Sequence, residues 1–206
     1  MPLVIGLTGG LAAGKSTVSS MFFSLGADVL DADQIVHAQL SVKGRPFNQV
    51  VKAFGTEILS RGKIDRRELG RIVFKDSKQL KKIEKIVHPV VKEEIVKKIN
   101  HFKKRGFKKV LIIEVPLLFE SGFNRLMDYT IVVKAKEKQQ LSRAVEKFGI
   151  SRREALRRLR KQMPFKQKVK LADFVINNSR SLTNTKKRVK EIWQELNSKK
   201  NTLQSK

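Results

Sequence analysis

Gly9-Gly10-Leu11-Ala12-Ala13-Gly14-Lys15-Ser16 fits the pattern G-x-x-x-x-G-K-S/T and follows directly on an apolar run, Leu3-Val4-Ile5-Gly6-Leu7. Those residue types at that spacing suit the wrapping of a chain of phosphates. Gly9, Gly10 and Gly14 allow the turns by which loop N–H groups point inward. Lys15 brings a point charge to the β and γ phosphates, and the Ser16 hydroxyl suits Mg²⁺. A helix starting near Lys15 turns its positive end to the same anion, with Thr17 in its first turn. The pattern sits between a strand and a helix, as the chemistry requires.

In an open parallel sheet, ligands lie at the carboxyl ends of the strands. Carboxylates cluster at two such ends. Leu30-Asp31-Ala32-Asp33 closes the second apolar run, and period-two alternation puts Asp31 and Asp33 on one side if the extended backbone continues. One of them can meet an acceptor hydroxyl; equally, either can cap the helix that follows. Glu114 closes the third run, where a carboxylate can hold the water shell of Mg²⁺ or orient a nucleophile.

Strands and helices must position these groups. Further apolar runs stand at Val29-Leu30, Val110 to Ile113, Thr130 to Val133 and Phe174 to Ile176, separated by helical patterns. This predicts an α/β fold: a three-layer α/β/α phosphate-loop core with a parallel sheet. About eighty residues between the second and third runs exceed what a crossover helix needs. A helical insertion is therefore expected. The 206 residues read as a single domain, with 1–35 and 110–200 as the nucleotide-binding core and 36–109 as a helical substrate-binding region. Val91, Ile95, Ile99 and Phe102 form one packing stripe, and Val189, Ile192, Trp193 and Leu196 form another. Beyond Asn197 the chain is expected to fray.

Composition narrows the chemistry. With no cysteine, disulfides, thiol catalysis and thiolate zinc are excluded, and three scattered histidines have no metal-ligand spacing. Mg²⁺ held by phosphate and hydroxyl is the expected metal. No run approaches the roughly 20 apolar residues that span a bilayer, and no signal-peptide layout opens the chain. A cytoplasmic protein without membrane partners is expected. Forty-five Lys and Arg against 19 Asp and Glu give a formal net charge of +26, which suits anionic partners, nucleic acid and phosphorylated small molecules alike. Lysines in 75–85 and 97–109 read as solvated helix faces. Arg143, Arg152, Arg153, Arg157, Arg158 and Arg160 cluster between the fourth and fifth apolar runs, where a helical lid over 137–165 is expected.

An ordered set of further segments resembles one family, the dephospho-CoA kinases, over residues 3–196. It comprises Gly6 to Gly10 with Lys15-Ser16-Thr17, then Leu25-Gly26-Ala27, Asp31-Ala32-Asp33 and Asp65 to Gly70. After these come Ile72-Val73-Phe74, Ile86-Val87-His88-Pro89, Val115-Pro116-Leu117-Leu118-Phe119-Glu120, Arg158 with Gln162, and Ala172 to Ile176 ahead of Asn178. The resemblance implies transfer of the ATP γ-phosphoryl group to the ribose 3′-hydroxyl of dephospho-CoA, the final step of coenzyme A biosynthesis. ATP and Mg²⁺ are then the nucleotide and the metal, dephospho-CoA the small-molecule partner, and no specific nucleic acid is needed.

Roles follow from the resemblance residue by residue. Asp33, Lys15 and Arg143 are the catalytic candidates, with Asp33 accepting or orienting the 3′-hydroxyl proton. Gly9, Gly10, Leu11, Ala12, Ala13, Gly14, Lys15, Ser16 and Thr17, with Arg143 and Asn178, are the ATP candidates. Asp33, Arg66, His88, Pro116, Leu117, Leu118, Glu120 and Arg158 are the substrate candidates, and Ser16 the metal ligand. Core packing accounts equally well for the leucines, and a solvated face for the other arginines of the cluster. His88 reads as support at a helix entrance, because the residue before Pro89 is biased to extended backbone. The chain departs from the family pattern at Glu114, where aspartate is common, at Ala12 and Ala13 in the loop, and at Arg180, where glycine is frequent.

Another phosphate-loop kinase, such as one acting on nucleoside monophosphates, would share the loop and the arginines but lack the His88-Pro89 and Val115 to Leu118 elements. A nucleic-acid-binding NTPase fits the charge. The chain nevertheless has no N-K-x-D or D-x-x-G segment, and one Tyr and one Trp make a poor stacking surface.

Overall fold

Every residue of β1 (Leu3–Gly9) is buried, as befits a strand with neighbours on both sides and a layer on each face. The computed structural model describes residues 2–41, 44–104 and 110–202. After β1 come α1 (Lys15–Ser24), β2 (Asp28–Asp31), α2 (Ala32–Gln39) and α3 (Phe47–Phe54). A short hairpin of β3 (Leu59–Ser60) and β4 (Lys63–Ile64) precedes α4 (Arg66–Lys75) and the 28-residue α5 (Ser77–Lys104). The chain continues through β5 (Val110–Glu114), β6 (Tyr129–Lys134), α6 (Glu137–Phe148) and α7 (Arg152–Arg160). It closes with α8 (Phe165–Leu171), β7 (Phe174–Asn177) and α9 (Leu182–Thr202).

The five apolar runs are the five strands of one sheet, ordered β2-β5-β1-β6-β7, with every pairing parallel. The protein thus has an α/β fold, a parallel sheet flanked by helices. Parallel pairing sets the carboxyl ends Asp31, Glu114, Gly9, Lys134 and Asn177 along one edge. The phosphate loop leaves the central strand there, where a doubly wound sheet places its ligands.

Two close approaches fix β1. A Cβ on Gly6 would lie 2.8 Å from Leu118 Cδ2, and one on Gly9 2.6 Å from the Val133 carbonyl oxygen. On the sheet, Ile5, Leu7, Ile112, Ile131, Val133 and Ile176 join Val18 and Phe22 of α1 and Val189, Ile192 and Leu196 of α9 in one buried cluster. Trp193 packs against it, its ring centroid 6.4 Å from that of Phe22. Truncating a side chain such as Phe22 would cost about 3–5 kcal/mol. The α9 stripe is packing, as its spacing predicts. The helix itself continues past Asn197 to Thr202, and 203–206 lie outside the described residues.

The described chain divides into two compact units, Met1–Asp31 with Ile99–Lys206, and Ala32–Lys98. In the second unit, Asp65 caps α4 by accepting from the N–H groups of Arg67 (2.8 Å) and Glu68 (3.2 Å). Arg61 (φ +50°) and Gly62 (φ +74°) turn the β3–β4 hairpin, an element the sequence reading did not separate. Val50, Phe54, Ile58, Leu69, Val73, Val87, Val91 and Ile95 are among the buried apolar side chains of the second unit.

Two expectations about backbone need correction. Asp33 does not extend β2: the strand ends at Asp31, and Asp33 lies in the first turn of α2. Alternation therefore does not carry from one carboxylate to the other. His88 does not stand at a helix entrance, because Pro89 lies inside α5. An internal proline costs about 3 kcal/mol, and here the helix persists through the stripe of Val87, Val91 and Ile95, buried on either side of the proline. The lysine-bearing stretch 97–109 is helical as far as Lys104, and 105–109 lie outside the described residues.

Candidate active site

The loop between β1 and α1 takes left-handed backbone at two positions, Ala12 (φ +50°) and Gly14 (φ +97°). Gly9 and Gly10 have no positive φ; they are small because of what lies against them. At Gly9 the neighbour is the Val133 carbonyl, and at Gly10 an added Cβ would collide with Gln140 Oε1. Gly14 is the N-cap of α1 and no side chain caps that end, so the first N–H groups of the helix remain available to an anion. Lys15 curls back over the loop, its Nζ 3.3 Å from the Gly9 carbonyl and 3.4 Å from that of Gly10.

Three elements brace this loop. Asn178, buried just after β7, donates from Nδ2 to the Ala13 carbonyl (2.9 Å) and accepts at Oδ1 from the Thr185 hydroxyl (3.1 Å). A Cβ on Gly14 would collide with that Nδ2. Gln162, just past α7, accepts at Oε1 from the Leu11 N–H at 3.0 Å. Leu11 and Ala12 also pack on a small cluster of Leu141, Ala144 and Ala155. Arg143 on α6 has its Nη1 4.0 Å from the place a Gly14 Cβ would occupy, and that buried nitrogen has no hydrogen-bond partner among the described residues.

Glu114 is 6 % exposed. Its Oε2 stands 3.4 Å from the Ser16 hydroxyl, its Oε1 accepts from the Ser19 hydroxyl, and the ladder sets it beside Asp31. Burial raises its pKa and the Asp31 charge adds to that rise, against the hydrogen bonds from Ser19 and Ser16 and the charge of Lys15. The longer side chain thus reaches the phosphate-loop serine. Hydroxyl and carboxylate oxygens at a loop built for phosphate are a hard donor set that fits Mg²⁺. Among the described residues no group of three or more His, Cys, Asp or Glu side chains could hold a metal, so phosphate oxygens and water would complete the shell.

The segment after β5 is tied inward. The Pro116 carbonyl accepts from Thr8 Oγ1 (3.1 Å) and Lys168 Nζ (3.3 Å), and Leu118 is fully buried over Gly6. Leu117 is half-buried. Glu120 pairs with Lys168 at 2.8 Å and accepts the Met163 N–H at 2.8 Å.

The expected lid range 137–165 holds α6 and α7. Ser151 caps α7 through the Glu154 N–H (3.1 Å), and Glu154 pairs with both Arg157 and Arg158. Arg152, Arg153, Arg157 and Arg160 are exposed; Arg158 is half-buried, and that burial lowers its pKa. In the second unit, Arg66 at the start of α4 stands 3.1 Å from His37 Nδ1. His88 is partly buried in α5, which lowers its pKa against the opposing charge of Glu84. Asp33 is exposed.

Sequence reasoning missed Ser19, Gln140, Thr185 and Lys168. Ser19 was findable, since it lies one helical turn after Ser16 and so on the same face of α1. Lys168 carried no signal among so many lysines. Thr185 and Gln140 meet the loop only through the tertiary fold.

A model of the family described as dephospho-CoA kinase matches residues 3–184. The dephospho-CoA kinase of Bacillus thuringiensis subsp. konkukian is 43 % identical over 199 residues, covering 96 % of this chain and 98 % of that protein. Among solved structures, TT1252 of Thermus thermophilus is similar with a TM-score of 0.77 and 34 % identity, over 95 % of this chain and 98 % of that one. The dephospho-CoA kinase of Campylobacter jejuni is similar with a TM-score of 0.70 and 30 % identity, over 96 % and 98 %.

Proposed function

We infer the reaction from one premise: the chain belongs to the dephospho-CoA kinase family. It is an ATP-dependent kinase, and its acceptor is dephospho-CoA. The acceptor atom is the ribose 3′-hydroxyl. Its oxygen bonds to the γ-phosphorus, the bond to the β-bridging oxygen breaks, ADP leaves, and Asp33 takes the hydroxyl proton. A kinase of nucleoside monophosphates is not favoured, since the relatives are dephospho-CoA kinases over nearly the whole chain.

One observation carries the reading: the phosphate loop opens at the carboxyl end of the central strand with Ser16 and Glu114 side by side. Phosphoryl transfer asks for positioning and charge neutralisation. The loop amides and Lys15 hold the β and γ phosphates. Arg143, with its buried nitrogen near Gly14, neutralises charge on the nucleotide side, and Asn178 fixes the loop it serves. Arg158 approaches the transferring group from α7. Arg66 and His88, and separately Pro116, Leu117, Leu118 and Glu120, are assigned to recognition of the acceptor. Mg²⁺ would be held by Ser16 with Glu114 at its edge, and when bound it neutralises phosphate charge. No helix among the described residues is long and apolar enough to cross a membrane, and we place the reaction in the cytoplasm.

ADP release from Mg-ATP tests this, with dephospho-CoA, AMP, CMP or no acceptor. Release only with dephospho-CoA is expected; release with a nucleoside monophosphate, or without any acceptor, would count against it.

A further inference from the structure

We propose that Lys168 is a positioning residue for phosphoryl transfer, acting through Glu120 to hold the root of the arginine-bearing helix α7. The inference rests on the reading above, in which α7 supplies charge to the transferring phosphate.

Lys168 is 1 % exposed on its side chain, the most deeply buried charge in any ion pair among the described residues. Burying an ammonium is costly unless the pair is well made and its remaining protons are satisfied, and an apolar side chain of similar volume often serves stability as well. Its contacts show what the charge holds. One proton goes to Glu120 Oε1 at 2.8 Å and another to the Pro116 carbonyl at 3.3 Å. Pro116 also receives the hydroxyl of Thr8, the residue before Gly9. Glu120 Oε1 in turn receives the N–H of Met163, which lies between α7 and α8. Gln162, immediately before it, is held to the Leu11 N–H of the phosphate loop.

The connection that ends α7 is therefore gripped at two consecutive residues. One grip leads to the phosphate loop, the other through Glu120 and Lys168 to the segment after β5 and the end of β1. A helix anchored in this way keeps its arginines in register with the loop. Small displacements of positioning elements are enough to slow transfer.

Lys168→Met alone strands a carboxylate and can unfold the chain, so the decisive protein is the double variant Lys168→Met with Glu120→Gln. It removes both charges and keeps an amide oxygen for the Met163 N–H. It is expected to melt within about 5 °C of the parent and to lose about tenfold or more in kcat, with KM for ATP moving less than about threefold. Parental kcat in the folded double variant overturns the proposal. Should the parent itself release no ADP with dephospho-CoA, the reaction reading fails separately. The pair is then read from protection of Arg152 to Arg160 against trypsin by Mg-ATP. Protection is expected in the parent and lost in the double variant; equal protection overturns the proposal.

Discussion

Asn178 Nδ2 donates to the Ala13 carbonyl at 2.9 Å, while its Oδ1 accepts from Thr185, so a residue after the last strand braces the phosphate loop 165 residues away. Asn178→Leu removes the side-chain donor to the Ala13 carbonyl, while the Thr185 hydroxyl keeps the Ser181 carbonyl at 3.3 Å. It should lower stability by about 1–3 kcal/mol and raise KM for ATP more than KM for dephospho-CoA. Chemical denaturation with steady-state kinetics would show both effects; an unchanged KM for ATP would detach the brace from nucleotide binding.

Gly9→Ala introduces a Cβ that would stand 2.6 Å from the Val133 carbonyl oxygen in the β1–β6 ladder. Backbone must shift to admit it, since the obstacle is not the end of a flexible side chain. The variant should melt lower and bind ATP more weakly, as read by thermal unfolding with and without Mg-ATP. A parental melting curve and parental ATP stabilisation would contradict the packing described for β1.

Burial raises the pKa of Glu114 above its ordinary carboxylate value. The folded chain then holds a proton that the unfolded chain has already released, and this contribution to stability is lost as pH rises from the ordinary carboxylate range through the raised folded value. Glu114→Gln removes that loss. Melting temperatures across pH should show the variant gaining on the parent as pH rises, even as kcat falls about tenfold or more through loss of the charge beside Ser16. A difference between the two proteins independent of pH would argue against the raised pKa.

Asp33→Asn keeps the size of the proposed proton acceptor and removes its basicity. A loss of about a hundredfold or more in kcat is expected, with KM for ATP nearly unchanged and the fold intact by circular dichroism. Near-parental kcat would remove Asp33 from the proton transfer.

Much of this was legible because it rests on short-range pattern. The five apolar runs are the five strands, since a parallel sheet buried on both faces admits little else. The strand–loop–helix site is also local, from Leu3 to Ser24. Errors arose where local preference was overruled. Asp33 turned helical where alternation suggested strand, and Pro89 was absorbed into α5 despite its intrinsic cost. The phosphate-loop glycines were read for backbone freedom, which holds for Gly14 (φ +97°), whereas Gly9 and Gly10 are small to admit Val133 and Gln140, and Ala12 takes the other left-handed position. Partnerships across long sequence separations, such as Lys168 with Glu120 or Asn178 with Ala13, left no mark in composition or periodicity.

The most direct measurement is phosphorus NMR of the product formed from Mg-ATP and dephospho-CoA by the purified chain. One new phosphomonoester resonance on the ribose 3′ position, growing in step with ADP, is the predicted result. Inorganic phosphate growing with ADP in its place, or a phosphate elsewhere on the acceptor, would contradict the assigned reaction.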